Sequence, residues 1–191
     1  MRKAPLAAIL LAASALALSA CSGKTPAGDA TTGAVTDAAA VPASQTVPDV
    51  LDNTDGLQTV AEALKATGIA DTFKGNASYT LLAPDDDAFA ALGDAGKDLI
   101  ASSDHAALAA LLRDHMLPGY VTPDDLANAI AASKDGQITM TTLGGEDLVF
   151  ARQDDAIVVT APDGTQATLN GDPVTGGASI ALPVDAVLKK V

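Results

Sequence analysis

The spacing of apolar residues changes along the chain, and this change limits the fold more than any other sequence feature. In the first half, apolar residues counted from Leu57 recur at i, i+3, i+4 and i+7, as on one face of an α-helix. From Ile138 onward they alternate with polar residues, as in half-buried strands. Helices followed by β-hairpins predict an α+β domain rather than a βαβ repeat.

Turn and capping residues set the expected ends of the early elements. Gly68 is placed to end the first helix in the left-handed conformation. A short strand from Tyr79 to Leu82 is followed by Asp85, which is suited to cap the next helix. Thr122 and Pro123 predict a further helix start, with a capping hydroxyl and a proline at the first helical position.

The rest of the chain gives one more helix and several strands. The leucine stripe of the helix follows a cap at Ser103 or Asp104 and ends near His115, because Pro118 cannot extend it. The closing segment is either one bent strand or two short ones. The strands are expected at Ile138 to Thr142, Leu148 to Phe150, Ala156 to Thr160, Gln166 to Leu169, Ile180 to Leu182 and Val184 to Leu188.

The N-terminal residues are typical of a bacterial lipoprotein precursor. Basic residues at positions 2 and 3 precede an uncharged, Ala- and Leu-rich run, which closes with Leu18-Ser19-Ala20 directly before Cys21. We expect residues 1–20 to be a signal peptide and Cys21 to carry diacylglycerol and a further acyl chain such as palmitate. An ordinary signal and an uncleaved anchor are the alternatives. Ser22 in place of aspartate is similar to the sorting pattern of outer-membrane lipoproteins.

Residues 21–46 form the predicted tether, and residues 47–191 the predicted domain. The tether is rich in Ala, Thr, Gly, Pro and Ser, so it cannot bury enough apolar surface to offset the entropy of ordering. A random coil of this length spans roughly 27 Å. The domain would therefore stand clear of the lipid headgroups.

Charge excludes several classes of partner. The chain has 11 Lys plus Arg and 24 Asp plus Glu, a net charge of −13. Removal of Arg2 and Lys3 with the signal leaves 9 against 24, or −15. Nucleic acid and anionic lipid surfaces need a basic face, so neither is expected as a partner. A monomer held to the membrane by its lipid is expected instead.

Three ordered segments together resemble the fasciclin-like domain family. Tyr79 to Phe89 is similar to its first motif, Leu111 to Gly119 to its central leucine, histidine and Pro-Gly segment, and Val184 to Leu188 to its closing strand. The likeness spans Val47 to Val191. It implies a wedge-shaped β-sandwich of about seven strands with helices packed around it. It also implies interaction and adhesion functions rather than a shared reaction.

The chain departs from the family pattern at two places. Asp114 stands where an aromatic residue usually precedes the histidine, so the receptor-binding role of that pair in animal members is not transferable. Near the end, Leu182 and Pro183 replace the usual His and Val. Pro183 lacks an N–H, so we expect its strand to lie at an edge or to bend there.

The residues give little support for catalysis or metal binding. The aspartates at positions 85 to 87 lack the spacing of an EF-hand loop, so capping is their expected role. His115, as a lone histidine at a helix end, is expected to be structural. No Gly-x-Ser-x-Gly or phosphate-loop motif occurs, and no cofactor, metal or enzymatic activity is expected. The residues considered for partner binding are Pro84, Asp85, Asp114, His115, Leu117 and Pro118.

Two functions of different kinds are compatible with these observations. The leading hypothesis is a lipid-anchored module of the bacterial envelope, facing the periplasm or the cell surface, that binds a protein or polysaccharide. The alternative is a periplasmic small-molecule-binding or carrier domain, with a cleft between the Ala83-Pro84 turn and the segment from His115 to Gly119.

Overall fold

The computed structural model describes residues 45–101 and 105–190, so the predicted signal peptide, Cys21 and nearly all of the predicted tether lie outside the described residues. The described residues form six α-helices, one 3₁₀ helix (Ile69–Lys74) and eight strands. The helices are α1 (Val47–Leu51), α2 (Gln58–Ala66), α3 (Asp86–Ala91), α4 (Gly93–Ala101), α5 (Ala106–Asp114) and α6 (Pro123–Ala132). The strands are β1 (Tyr79–Pro84), β2 (Met116–Pro118), β3 (Gln137–Thr141), β4 (Asp147–Gln153), β5 (Ala156–Thr160), β6 (Gln166–Thr168), β7 (Val174–Gly176) and β8 (Ser179–Val184).

The strands make two four-stranded sheets, which confirms the α+β prediction. The first sheet has the order β2-β1-β8-β7, with β1 and β8 parallel and its other neighbours antiparallel. The second sheet is an antiparallel meander in the order β3-β4-β5-β6. A single bridge between Leu169 and Val184 connects the two sheets.

The first sheet is buried on both faces. On β1, Leu81 and Ala83 pack with helices α1, α2, α3 and α5, whereas Leu82 packs in a second cluster with residues of the other sheet. On β8, Ala181 faces the helices, and Ile180 faces the second sheet. Strands covered on both sides have consecutive apolar residues, which explains the unbroken runs in β1 and β8.

The second sheet is buried on one face only. Leu148 and Phe150 of β4 are fully buried, while the residues between and beyond them are partly or fully exposed. Leu126 and Ile130 of α6 complete this cluster. The alternation seen in the sequence is therefore the pattern of a sheet with one wet face.

The predicted caps are present. The Asp85 carboxylate accepts a hydrogen bond of 2.7 Å from the backbone N–H of Ala88 and so caps α3. Thr122 caps α6 and forms a capping box with Asp125. Pro123 is at the first position of this helix. Gly68 has φ of 74°, the left-handed conformation expected after α2.

Other expectations are corrected by the structure. Asp185 to Leu188 are not a strand, because β8 ends at Val184 and the chain bends there. The residue at the N-cap of α5 is His105, and Ser103 and Asp104 lie outside the described residues. Pro183 lies in β8, which is a central strand rather than an edge strand. The pairing of β8 with β7 ends before Pro183, and the Pro183 carbonyl accepts from the N–H of Asn170.

Candidate functional site

His115 lies at the end of α5, fully buried between two parts of the backbone. Its Nε2 is 2.9 Å from the N–H of Leu188, and its Nδ1 is 2.8 Å from the carbonyl oxygen of Leu111. An amide N–H can only donate, so Nε2 is the acceptor and Nδ1 carries the proton. The ring is therefore neutral, and both nitrogens are used inside the protein.

Burial holds the pKa of His115 below its ordinary value of 6.5, although the Leu111 carbonyl and the nearby Asp114 charge oppose this shift. Protonation of Nε2 would place its new N–H against the N–H of Leu188, and the hydrogen bond between them would be lost. The prediction of a structural histidine is consistent with this geometry, since a general base must present a nitrogen to its substrate.

Asp114, the buried residue before His115, forms a partly buried ion pair. Its carboxylate accepts a hydrogen bond of 2.5 Å from Nζ of Lys189, which also donates to Glu146 at 2.9 Å. Both carboxylates raise the pKa of Lys189. Gly144 lies so close to Asp114 that a Cβ added to the glycine would be 1.9 Å from Oδ1 of the aspartate. The three charged groups thus join α5, the β3–β4 turn and the C-terminal segment.

The structure does not bring the predicted binding residues together on one surface. Pro84, Asp114, His115 and Leu117 are buried and cannot contact a partner in this conformation. Pro118 is exposed but pairs with Tyr79, at the opposite end of β1 from Asp85.

The cleft predicted between Ala83-Pro84 and the segment from His115 to Gly119 is absent, because the two segments are in direct contact. Ala83 and Pro84 are residues of β1 rather than a turn, and Met116 to Pro118 form β2, which pairs with β1 directly. The N–H of Leu82 donates to the carbonyl of His115 at 2.8 Å, so no space separates the two segments.

An open groove lies instead at the end of β1 where Asp85 is found. The groove has a volume of about 660 Å³ and carries five carboxylates with a few apolar residues. The Asp85 side chain also accepts from the amide of Asn170 at 2.7 Å, and Asp86 accepts from the N–H of Thr59 at 2.9 Å. Its acidic residues are Asp55, Asp85, Asp86, Asp87 and Asp172. We call this surface the acidic groove.

The acidic groove combines two loops with the start of α3, which explains why the sequence did not reveal it. Asn170 and Asp172 reach it from the β6–β7 connection, and Asp55 from the α1–α2 connection. Within the described ranges, no three His, Asp or Glu side chains are arranged to hold a metal ion. The same ranges contain no helix with the length and apolar character needed to cross a bilayer.

Comparison with protein-family models identifies the domain. Residues 55–190 match the model of the Fasciclin domain. The chain belongs to the Fasciclin domain family. Membership suggests an adhesion or interaction module in general. The resemblance stated from the three sequence segments is thereby confirmed.

Two known proteins are similar to this Fasciclin domain chain. Protein sll1483 of Synechocystis sp. (strain PCC 6803) is 27% identical over 157 residues, which are 81% of this chain and 79% of that protein. A solved FAS1 domain pair from the insect cell adhesion molecule Fasciclin I superposes with a TM-score of 0.63 at 15% identity. The match covers 76% of this chain and 51% of the insect structure, so it supports the fold alone.

Proposed function

We propose that this chain is a lipid-anchored interaction module of the bacterial cell envelope, which holds its Fasciclin domain close to a membrane and binds a protein or polysaccharide. The observation that carries the proposal is the Fasciclin domain itself, which fills residues 55–190. His115, the buried histidine of that domain, serves two backbone groups instead of a substrate.

The acidic groove is the surface that we assign to the partner. It is concave, and its exposed Asp87 and Asp172 carboxylates have no hydrogen-bond partner in the described residues. Free carboxylates are acceptors for the hydroxyl groups of a polysaccharide or for the N–H groups of a protein. Nearby apolar residues such as Leu57 and Pro183 line the same surface.

The test is cross-linking in intact cells followed by mass spectrometry. The full chain should capture a macromolecular partner, and a variant with Asp87→Asn and Asp172→Asn should capture several-fold less. Asp135→Asn is the matched control, because Asp135 is an exposed aspartate that does not line the acidic groove. Unchanged attachment and aggregation of deletion cells, together with no captured macromolecule, would refute the proposal.

The anchor is assigned to Cys21, the single cysteine of the chain. Cells fed a labelled fatty acid should incorporate the label into the wild-type protein and not into Cys21→Ala. The variant should also leave the membrane fraction, since acyl chains supply about 0.8 kcal/mol of membrane affinity per buried CH₂. Equal labelling of both proteins would exclude lipidation at this residue.

A small-molecule carrier is the second candidate, because the volume of the acidic groove lies within the range of ligand sites, roughly 300–1,000 Å³. A thermal-shift screen of envelope metabolites distinguishes the two functions. A saturable ligand whose effect disappears in the Asp87→Asn, Asp172→Asn variant would favour the carrier.

A further inference from the structure

A second and smaller cleft lies beside the buried His115 region. It has a volume of about 280 Å³ and opens between the start of the 3₁₀ helix, the end of α5 and the β3–β4 turn. It shares no residue with the acidic groove. Its side chains are Thr67, Ile69, Thr72, Arg113, Met116 and Leu143. We call it the Arg113 cleft.

The Arg113 cleft is unusual in charge for this protein. Five of the eight Lys and Arg side chains in the described ranges lie within 4 Å of a carboxylate, and Arg113 is not among them. Arg113 is exposed, and no Asp or Glu lines the cleft. In a chain of net charge −13, the cleft therefore presents, among neutral side chains, a guanidinium with no carboxylate from the described residues within 4 Å.

The cleft also contains apolar side chains beside its threonines and Arg113. Leu143 is 40% exposed and is one of the two large hydrophobic residues exposed in the described part of the chain. Met116 and Ile69, which are almost fully buried, give the apolar floor.

Backbone hydrogen bonds fix the walls of the cleft in advance. The N–H of Leu143 donates to the carbonyl of Met116 at 2.8 Å, and the N–H of Gly144 donates to the carbonyl of Arg113 at 3.1 Å. The close approach of Gly144 to Asp114 fixes the turn against α5. A ligand would therefore bind without the entropic cost of ordering this loop.

We propose that the Arg113 cleft binds the carboxyl-terminal aliphatic residue of a partner peptide. The guanidinium of Arg113 pairs with the terminal carboxylate, which suits the planar fork of arginine. The aliphatic side chain covers Leu143 and Met116. The small volume favours one residue over a folded element, and the single cation beside the exposed Leu143 side chain favours an aliphatic carboxylate over a phosphate group.

The experiment uses N-acetyl-leucine as the probe and the full chain in detergent with ¹³C-labelled Met and Leu methyl groups. Saturable shifts are expected for Met116 and Leu143 during the titration. N-acetyl-leucinamide, which lacks the carboxylate, should bind about tenfold more weakly, the loss typical of one charge-assisted pair. N-acetyl-glycine, which lacks the aliphatic side chain, should also bind more weakly.

Variants separate the two parts of the proposed contact. Arg113→Gln should weaken N-acetyl-leucine binding about tenfold while leaving N-acetyl-leucinamide unchanged. Leu143→Ser should weaken both compounds. Lys134→Gln is the matched control, because Lys134 is another exposed cation without a carboxylate partner within 4 Å and lies outside the cleft. Unfolding curves verify that each variant is folded.

Three results would overturn the proposal: no saturable shift at Met116 and Leu143, equal affinity for the acid and the amide, or an equal loss in Lys134→Gln. The Asp87→Asn, Asp172→Asn variant should bind the probe normally. Failure at the Arg113 cleft is therefore distinguishable from failure of the acidic groove.

Discussion

The His115 imidazole joins residues that are far apart in sequence, because one ring nitrogen contacts Leu111 and the other contacts Leu188. Asp114, the next residue along the backbone, makes the same connection with charge through Lys189. Two adjacent side chains at the end of α5 therefore hold the C-terminal segment.

The pH dependence of stability should report on His115. Its folded pKa lies below the ordinary 6.5, so the unfolded chain binds more protons as the pH falls below that value. The free energy of unfolding should thus be highest above about pH 6.5 and should decrease from there toward pH 5. Urea unfolding across this range measures the slope.

His115→Gln should remove most of that slope, although its stability at pH 7.5 will be lower because the Gln amide fits the site less well. His105→Gln is the control and should keep the slope. An unchanged pH profile in His115→Gln would contradict the assignment.

Gly144 should tolerate no side chain. A Cβ would meet Oδ1 of Asp114 at 1.9 Å and its backbone nitrogen at 3.1 Å, so either the turn or α5 must move. Gly144→Ala should therefore lose about 2–3 kcal/mol of unfolding free energy, as overpacked sites do. Gly75→Ala, whose nearest neighbour would be an ordinary 3.8 Å away, should be close to neutral in the same denaturation assay.

At the scale of elements, the segment from Asp185 to Lys190 has no regular structure and is held by side chains. Asp185 bonds with the backbone of Thr168, and the N–H of Lys190 donates to Asp163. That bond and one from Thr165 lower the pKa of Asp163 to about 2. Specific polar contacts thus replace a strand ladder along the final residues.

The ion pair between Asp114 and Lys189 should be strongly coupled. Lys189→Met leaves the buried Asp114 carboxylate without its cation. We expect a loss of about 2 kcal/mol, less than for a fully buried pair because the Lys189 side chain is 37% exposed. The double variant with Asp114→Asn should lose less than the sum of the single changes, as measured by a double-mutant cycle. Lys190→Met, an exposed neighbour, should change little.

Local signals predicted the elements that carry their own caps and period. Asp85 and Thr122 identified the starts of α3 and α6, and alternation identified β3 and β4. β2 and β7 were missed because these short strands are defined by their pairing with β1 and β8 rather than by a local sequence pattern. The extension of the closing strand to Leu188 was wrong because side-chain contacts hold that segment.

The candidate binding residues were chosen from sequence motifs and remain predictions. The sequence motifs selected Pro84, His115 and Leu117, which are conspicuous in sequence but buried in the structure. The acidic groove and the Arg113 cleft each combine residues from separate elements. The spacing of residues along the chain does not show which separate segments come together in the fold. That Arg113 has no carboxylate beside it can be seen only from its spatial neighbours in the structure.

At the scale of the whole molecule, charge opposes the compact state. From residue 45 onward the chain has 22 Asp plus Glu, the total of 24 less Asp29 and Asp37, and 8 Lys plus Arg, the total of 11 less those at positions 2, 3 and 24. Most carboxylates therefore have no cation beside them. Their mutual repulsion is strongest at low ionic strength, where the screening length is long.

Salt should consequently stabilise the domain. Raising NaCl from about 0.02 M to 0.5 M should increase the melting temperature by a few degrees, since screening weakens the net repulsion more than it weakens the few exposed ion pairs. Calorimetry of the wild type and of Asp98→Asn, Asp135→Asn should show a higher starting temperature and a smaller salt response in the variant. A melting temperature that falls with salt would contradict this balance.

The central position of β8 has a consequence for biosynthesis. β8 lies between β1 and β7, and its Ser179 hydroxyl accepts from the N–H of Tyr79, 100 residues earlier. Because a ribosome makes the chain from its N-terminus, β1 has no parallel neighbour until the residues of β8, which follow the helices and the second sheet, have been synthesised. The first sheet therefore closes late in the synthesis of the domain, after both the helices that cover it and the second sheet have been made.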